Sequence, residues 1–182
     1  MRVTPTALPG VLILEPKVFA DERGFFMECF NQRAFNAAVG QAVTFVQDNH
    51  SRSQRGVLRG LHYQLPPHAQ GKLVRVVSGS AFDVAVDIRR GSPTFGRWYG
   101  ATLDAASHRQ MWIPPGFAHG FLALESDTHI LYKTTDYYAR GCERTIAFCD
   151  STIGIAWPEL DCALLLAAKD AAAPMLADAE TF

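Results

Sequence analysis

Residues 55–72, RGVLRGLHYQLPPHAQGK, place three Arg/Lys residues and two histidines in a run that otherwise reads as strand, turn, strand. Val57, Leu58 and Leu61 alternate imperfectly with Arg59 and His62, so some polar side chains are expected to point inward. A cationic, imidazole-bearing interior is costly unless it serves a ligand. Gly56 and Gly60 leave room for backbone or ligand to approach. Pro66 and Pro67 end the first strand, because proline donates nothing to a ladder. The chemistry implied is a general base in a pocket for an anion. His62 is the candidate base. Arg59 precedes it, and Lys72 follows on a second strand that the turn brings alongside; both cations favour a neutral imidazole able to take a proton. A carboxylate partner would hold its tautomer, and Asp83, Asp87 and Asp170 are the candidates.

A second cluster, PPGFAHGF (114–121), turns the chain sharply and sets His119 at the opening of a strand. Its P-x-G-x-x-H pattern resembles the second motif of the cupin superfamily. Metal-binding cupins also carry an H-x-H pair, and here that run is His62-Tyr63-Gln64, with glutamine in place of the second histidine. Three or four N/O/S ligands cannot be assembled from local spacing, so no metal is expected. In Leu131-Tyr132-Lys133 and Tyr137-Tyr138, one phenol is a candidate acid and another a stacking surface, against the plainer reading of core or rim tyrosines. Asp21-Glu22-Arg23-Gly24 with Glu28 reads on residue types alone as a solvated turn. Gln47-Asp48-Asn49-His50 groups hydrogen-bonding side chains that could read a base edge or merely finish a strand.

These residues need a scaffold of many short strands. The expected strands cover residues 11–19, with Pro16 favouring an edge, then 25–30, 43–49, 73–78, 82–88, 97–103, 109–113, 120–124, 129–134 and 145–148. Gly91-Ser92-Pro93, 104–107, Pro114-Pro115-Gly116 and 125–127 supply the turns, and residues 51–56 read as a polar loop. Gln32–Val39 is expected to be a short helix closed by Gly40. Residues 163–179, rich in Ala and Leu, read as a helical tail broken at Pro174. Close-spaced strands without a βαβ rhythm imply an all-β sandwich or barrel, with one domain over 1–182.

Composition limits the partners. The formal net charge is −1, which supplies no bulk basic field for nucleic acid but permits a local anion pocket. Hydrophobic residues make up 48% and charged residues only 19%, a balance that hints at surface buried in an oligomer. Cys29, Cys142, Cys149 and Cys162 show no CxxC spacing and read as reduced thiols. MRVTPTALPGV has no apolar h-region, and no run reaches the roughly 18 residues of a membrane helix, so a cytoplasmic, non-membrane protein is expected.

Taken together, the chain resembles the dTDP-4-dehydrorhamnose 3,5-epimerase family. The resemblance rests on F-A-D-E-R-G-F-F (19–26), Q-D-N-H-S (47–51), G-V-L-R-G-L-H-Y-Q (56–64), G-K-L-V-R-V (71–76), D-V-A-V-D-I-R (83–89), S-P-T-F-G (92–96), P-P-G-F-A-H-G-F (114–121) and Y-K (132–133), in that order over almost the whole chain. It implies a cupin-type jelly-roll β-sandwich with short peripheral helices, a homodimer whose N-terminal strands cross to the partner, and no cofactor or metal. It implies that His62 is the general base, Asp170 its dyad partner, Tyr132 the acid on the opposite face, and Lys72 the stabiliser of an enolate. It implies too that His119 contacts the sugar and that Arg59 and Arg23 meet the diphosphate. By the same resemblance Glu28, Gln47 and Asn49 fall at the nucleotide, Tyr138 at the thymine face, and Asp48, Glu143 and Lys169 at further ligand contacts. One departure is visible: Leu165-Leu166-Ala167-Ala168 precedes Lys169-Asp170, where relatives commonly carry a serine.

The implied substrate is a 4-keto-6-deoxy sugar on dTDP. Its C3 and C5 protons both flank the C4 ketone, so a base, a cation at the oxyanion and an acid suffice without a redox cofactor. Three other readings remain at this level. A single-site epimerase or ketoisomerase would exchange one carbon only. A metal-dependent cupin oxygenase would need the missing H-x-H. A non-catalytic nucleotide-sugar binding module would have no use for His62, Lys72 and Tyr132 together.

Overall fold

A computed structural model describes residues 1–182. Thirteen strands and two short helices follow in order. They are β1 (Arg2–Pro5), β2 (Leu12–Glu15), β3 (Val18–Asp21), β4 (Gly24–Met27), α1 (Gln32–Val39), β5 (Gln47–Ser53), β6 (Leu58–Gln64) and β7 (Lys72–Ser78). Then come β8 (Ser80–Asp87), β9 (Trp98–Asp104), β10 (Gln110–Ile113), β11 (Phe117–Ala123), β12 (Thr128–Thr134), β13 (Glu143–Thr145) and α2 (Ala168–Ala171). A six-stranded antiparallel sheet, β1-β2-β10-β7-β12-β5, packs on a five-stranded one, β13-β6-β11-β8-β9, as a jelly-roll sandwich. The β3-β4 hairpin pairs with neither.

Between the sheets lies a core that includes Ile13, Val74, Val76, Leu103, Met111, Phe121 and Ile130, drawn from both inner faces. The outer face of the five-stranded sheet would expose Leu61, Tyr63, Val84 and Val86, but the C-terminal segment covers it with Ile146, Ile153 and Leu176. Main-chain bonds anchor that cover: Phe182 donates to Ile88 and Ala147 to Pro174. The outer face of the other sheet buries Leu14, Leu73 and Trp112 beneath Phe35 of α1. That helix begins where the Asn31 side chain accepts from the Ala34 amide, a cap worth about 1 kcal/mol, and ends at Gly40 with φ 72°.

The fold departs from expectation at five places. Arg2–Pro5, before the first expected strand, forms β1 against β2. Pro16 splits the first expected strand into β2 and β3, because its missing N–H interrupts the ladder. The apolar residues Val43 and Phe45 lie outside any strand and pack beside α1, whereas the polar run 47–53 is β5. The turn after Pro67 carries the chain from one sheet to the other, so β6 and β7 belong to different sheets rather than pairing. The C-terminal tail is mostly extended cover, and only Ala168–Ala171 is helical. No helix is long and apolar enough to cross a membrane.

Candidate active site

Both sheets line one cavity of about 310 Å³. Arg59, His62, Gln64, His119 and Glu143 reach it from the five-stranded sheet; Gln47, Asn49, Ser51, Lys72 and Tyr132 reach it from the six-stranded sheet. Tyr138, Lys169 and Asp170 close its rim and floor.

His62 stands on β6 with Nε2 2.6 Å from Asp170 Oδ1. Asp170 is 2% exposed, and its other oxygen accepts from the Gly60 amide at 3.5 Å. A carboxylate on Nε2 fixes the proton there and leaves Nδ1 with the lone pair. Burial pushes the His62 pKa down. The hydrogen bond and charge of Asp170 oppose this, while Lys72 and Lys169 lower it further, and the net shift is downward. The imidazole is therefore neutral at neutral pH and available as a base. Gly60 permits this wall to form: its φ is +115°, and a Cβ there would lie 2.6 Å from the Gly120 Cα on β11.

Lys72 opens β7 and is almost enclosed; its Nζ donates to the His62 carbonyl at 3.1 Å. Burial brings its pKa down to about 8, with Asp83 and Glu143 opposing the fall. Tyr132, on β12, has its phenol pushed up by burial, so it keeps its proton throughout the neutral range. Base and phenol thus come from opposite sheets, with an ammonium in the same cavity.

His119 sits opposite His62 in the β11–β6 register, its Nε2 2.7 Å from Asp83 Oδ1. At the other end, Gln47 Nε2 donates to Asn49 Oδ1 at 2.9 Å. The Tyr138 hydroxyl donates to Glu143 at 3.1 Å, and Lys169 Nζ donates to the same carboxylate at 2.8 Å. Arg59 lies on the cavity wall with Nε toward Ser53 Oγ at 3.3 Å. The arrangement can take a proton from a carbon acid, hold the resulting oxyanion beside a cation, and return a proton from the other side.

The sequence model of the dTDP-4-dehydrorhamnose 3,5-epimerase family matches residues 5–178. The chain belongs to this family. It is 58% identical to the dTDP-4-dehydrorhamnose 3,5-epimerase of Pseudomonas aeruginosa and 57% to that of Shigella flexneri, over all of this chain and 99% of each relative. Its fold is similar to that of a Legionella pneumophila 3,5-epimerase solved with dTDP-4-keto-L-rhamnose, at TM-score 0.95 and 49% identity over 98% of this chain and 94% of that one. A 3'-monoepimerase from Streptomyces bikiniensis, solved with dTDP-quinovose, is also similar, at TM-score 0.89 and 38% identity over 95% and 87% of the two chains.

Three residues that the family resemblance assigns to the ligand lie elsewhere in this chain. Asp48 points away from the cavity and binds Lys133 Nζ at 2.9 Å, because alternate residues of β5 face opposite ways. Arg23, at the tip of the β3-β4 hairpin, is exposed and closes on Asp21 at 2.5 Å. Glu28 is exposed and accepts from Asn31 at 3.2 Å. Neither Arg23 nor Glu28 lines the cavity, since their hairpin leaves the sandwich. Of the carboxylates weighed for His62, Asp83 serves His119, and Asp87 binds Arg89, Ser92 and Thr94 instead.

Ser51 was not singled out from sequence, yet it lines the cavity with a buried hydroxyl that has no partner. The period of two through Gln47 and Asn49 is the signal that finds it. Gln64 gives both amide hydrogens to main-chain carbonyls, and its oxygen accepts from a main-chain amide. No group of three or more His, Cys, Asp or Glu side chains is arranged to hold a metal ion.

Proposed function

We propose that this chain converts dTDP-4-dehydro-6-deoxy-D-glucose to dTDP-4-dehydro-L-rhamnose by inverting C3 and C5. His62 Nδ1 takes a proton from the carbon beside the C4 ketone, and the C–H electron pair moves to the carbonyl as an enolate. Lys72 faces the oxyanion. The Tyr132 phenol returns a proton to the opposite face, and its phenolate then recovers one from solvent as His62 loses its own. The reaction is proton-neutral and needs no redox partner. Each acid or base of this kind contributes typically about 10²–10⁴ in rate. Arg59, His119, Ser51, Gln47, Asn49 and the Tyr138–Glu143–Lys169 rim bind the sugar and nucleotide in this reading.

The observation that carries it is the pairing of a neutral, carboxylate-held imidazole with a phenol from the opposing sheet, in the cavity that encloses Lys72. The experiment is solvent deuterium incorporation. Label at both C3 and C5 is expected. Label at one carbon only would move the chain to the monoepimerase class, which shares this fold, and label at neither would reject the reading.

A homodimer completes it. The hairpin exposes Phe19, Phe25 and Phe26, apolar surface that a second copy would cover. Crossed hairpins would bring Arg23 and Glu28 to the partner's nucleotide and diphosphate. Mixed Arg23→Ala and His62→Ala chains should then recover activity that neither homodimer has. A cytoplasmic location fits the four free thiols, three of them exposed. The same reading assigns the whole chain to one catalytic domain with no nucleic-acid or membrane partner.

A further inference from the structure

We propose that Gln64 is a positioning residue that sets the nucleotide end of the cavity by clamping the loop bearing Tyr138. Gln64 ends β6 and is 3% exposed. Its side chain gives every bond to main chain. Nε2 donates to the His68 carbonyl at 2.7 Å and the Tyr137 carbonyl at 3.1 Å, and Oε1 accepts from the Ala139 amide at 2.8 Å. Two of the three bonds therefore grip the residues on either side of Tyr138. The Tyr138 amide itself donates to Gln47 Oε1 at 3.1 Å, from the other sheet. Two glutamines on opposing sheets thus hold three consecutive residues, and Gln70 adds a bond to the Asp136 carbonyl at 2.8 Å.

Residues 135–142 contain no strand or helix, so their placement depends on such bonds. Tyr138 is left 54% exposed at the cavity mouth, its hydroxyl on Glu143. Only an amide meets this requirement. Glutamate has no donor for the two carbonyls, and neutral histidine has one donor and one acceptor on a rigid ring. The clamp acts on a ring at the mouth, whereas His62, Lys72 and Tyr132 stand at the reacting end. Losing it should weaken nucleotide binding and spare the chemical step.

The test compares Gln64→Leu, Tyr138→Ala and the double variant with wild type, measuring dTDP affinity by calorimetry and steady-state turnover. Gln64→Leu should raise the Kd for dTDP and the KM for the dTDP sugar about tenfold, with kcat within about twofold. The double variant should bind no worse than Tyr138→Ala alone, because both changes remove the same contact. Independent, multiplying losses would overturn the inference, as would a fall in kcat with Kd unmoved. If Gln64→Leu does not fold, Gln64→Glu is judged by the same split. The inference rests on the proposed function for its probe. Failure of wild type to bind dTDP would sink that function, whereas normal wild-type binding with unchanged affinity in the Gln64 variants would sink only the clamp.

Discussion

His62 and His119 are directly opposed residues of β6 and β11, and each gives its Nε2 to a buried carboxylate, Asp170 at 2.6 Å and Asp83 at 2.7 Å. The two pairs differ in how they are built. Asp83 lies on β8, next to β11, where its Cα partner is Phe121, so the sheet itself sets the His119 pair. Asp170 comes from the C-terminal tail, 108 residues beyond His62. The side chain of His62 is 23% exposed and that of His119 only 8%. A base must exchange its proton with solvent after each turnover, and a binding wall need not. The sheet-set pair therefore suits fixed recognition, and the more open pair suits proton transfer.

Asp83 serves two neighbours: it holds His119, and its charge raises the pKa of Lys72 against burial. Asp83→Leu should leave the His119 N–H unpaired, a loss of about 1–3 kcal/mol, and lower kcat/KM about ten- to hundredfold. Asp83→Asn keeps an acceptor for His119 but removes the charge. Its alkaline limb of kcat should move to lower pH, since Lys72 then loses its proton sooner. A pH–rate profile superimposing on wild type would show that Asp83 does not act on Lys72.

Most strands are legible in the sequence because short β-type runs are separated by turn residues, and α1 is legible because Gly40 closes it. The residues that escaped were those set by long-range packing. Nothing local says that polar β5 is a strand; pairing with β12 makes it one, and its alternation then sends Asn49 inward and Asp48 outward. Nor does local sequence choose Asp170 over Asp83 or Asp87 for His62, because the choice depends on how the tail crosses the five-stranded sheet. Family resemblance supplied Asp170, and likewise Arg23 and Glu28, whose hairpin is remote from the cavity within one chain. Gln64 looked like a missing metal ligand, and only the course of residues 135–142 shows what its amide does.

The activity should be bell-shaped in pH. Protonation disables His62, whose pKa is held below its ordinary value of 6.5, so the acid limb should lie below that value. Deprotonation disables Lys72, so the rate should fall as pH rises through about 8. Tyr132, raised above the ordinary 10, stays a phenol across this window. Initial rates from pH 5 to 10 under saturating substrate check both limbs, and a rate still rising above pH 9 would exclude an ammonium at the oxyanion.

Tyr132→Phe separates proton removal from inversion. The base, its carboxylate and Lys72 are untouched, so solvent deuterium should still enter the starting sugar with retention. The inverted product should fall by about 10²–10⁴ for want of an acid on the six-stranded sheet. His62→Ala should abolish both. Proton NMR in deuterated buffer distinguishes the two variants, and equal loss of exchange in both would mean that the phenol does not act after the base.

Lys72 should weaken the fold that it serves. Unfolded, its ammonium titrates near 10.5; folded, near 8. Between those values the unfolded chain binds more protons, so stability rises with pH through that window and its full deficit is present below pH 8. At pH 7 the protonated, buried side chain costs about 3 kcal/mol. Lys72→Met removes that cost, fills similar volume, and gives up one hydrogen bond to the His62 carbonyl, worth about 1 kcal/mol. The variant should be more stable by about 1–2 kcal/mol at pH 7 while turnover collapses, and the advantage should disappear above about pH 10. Denaturant unfolding at pH 7 and pH 10 measures it. A variant less stable at pH 7 would show that the ammonium is already well solvated inside the cavity.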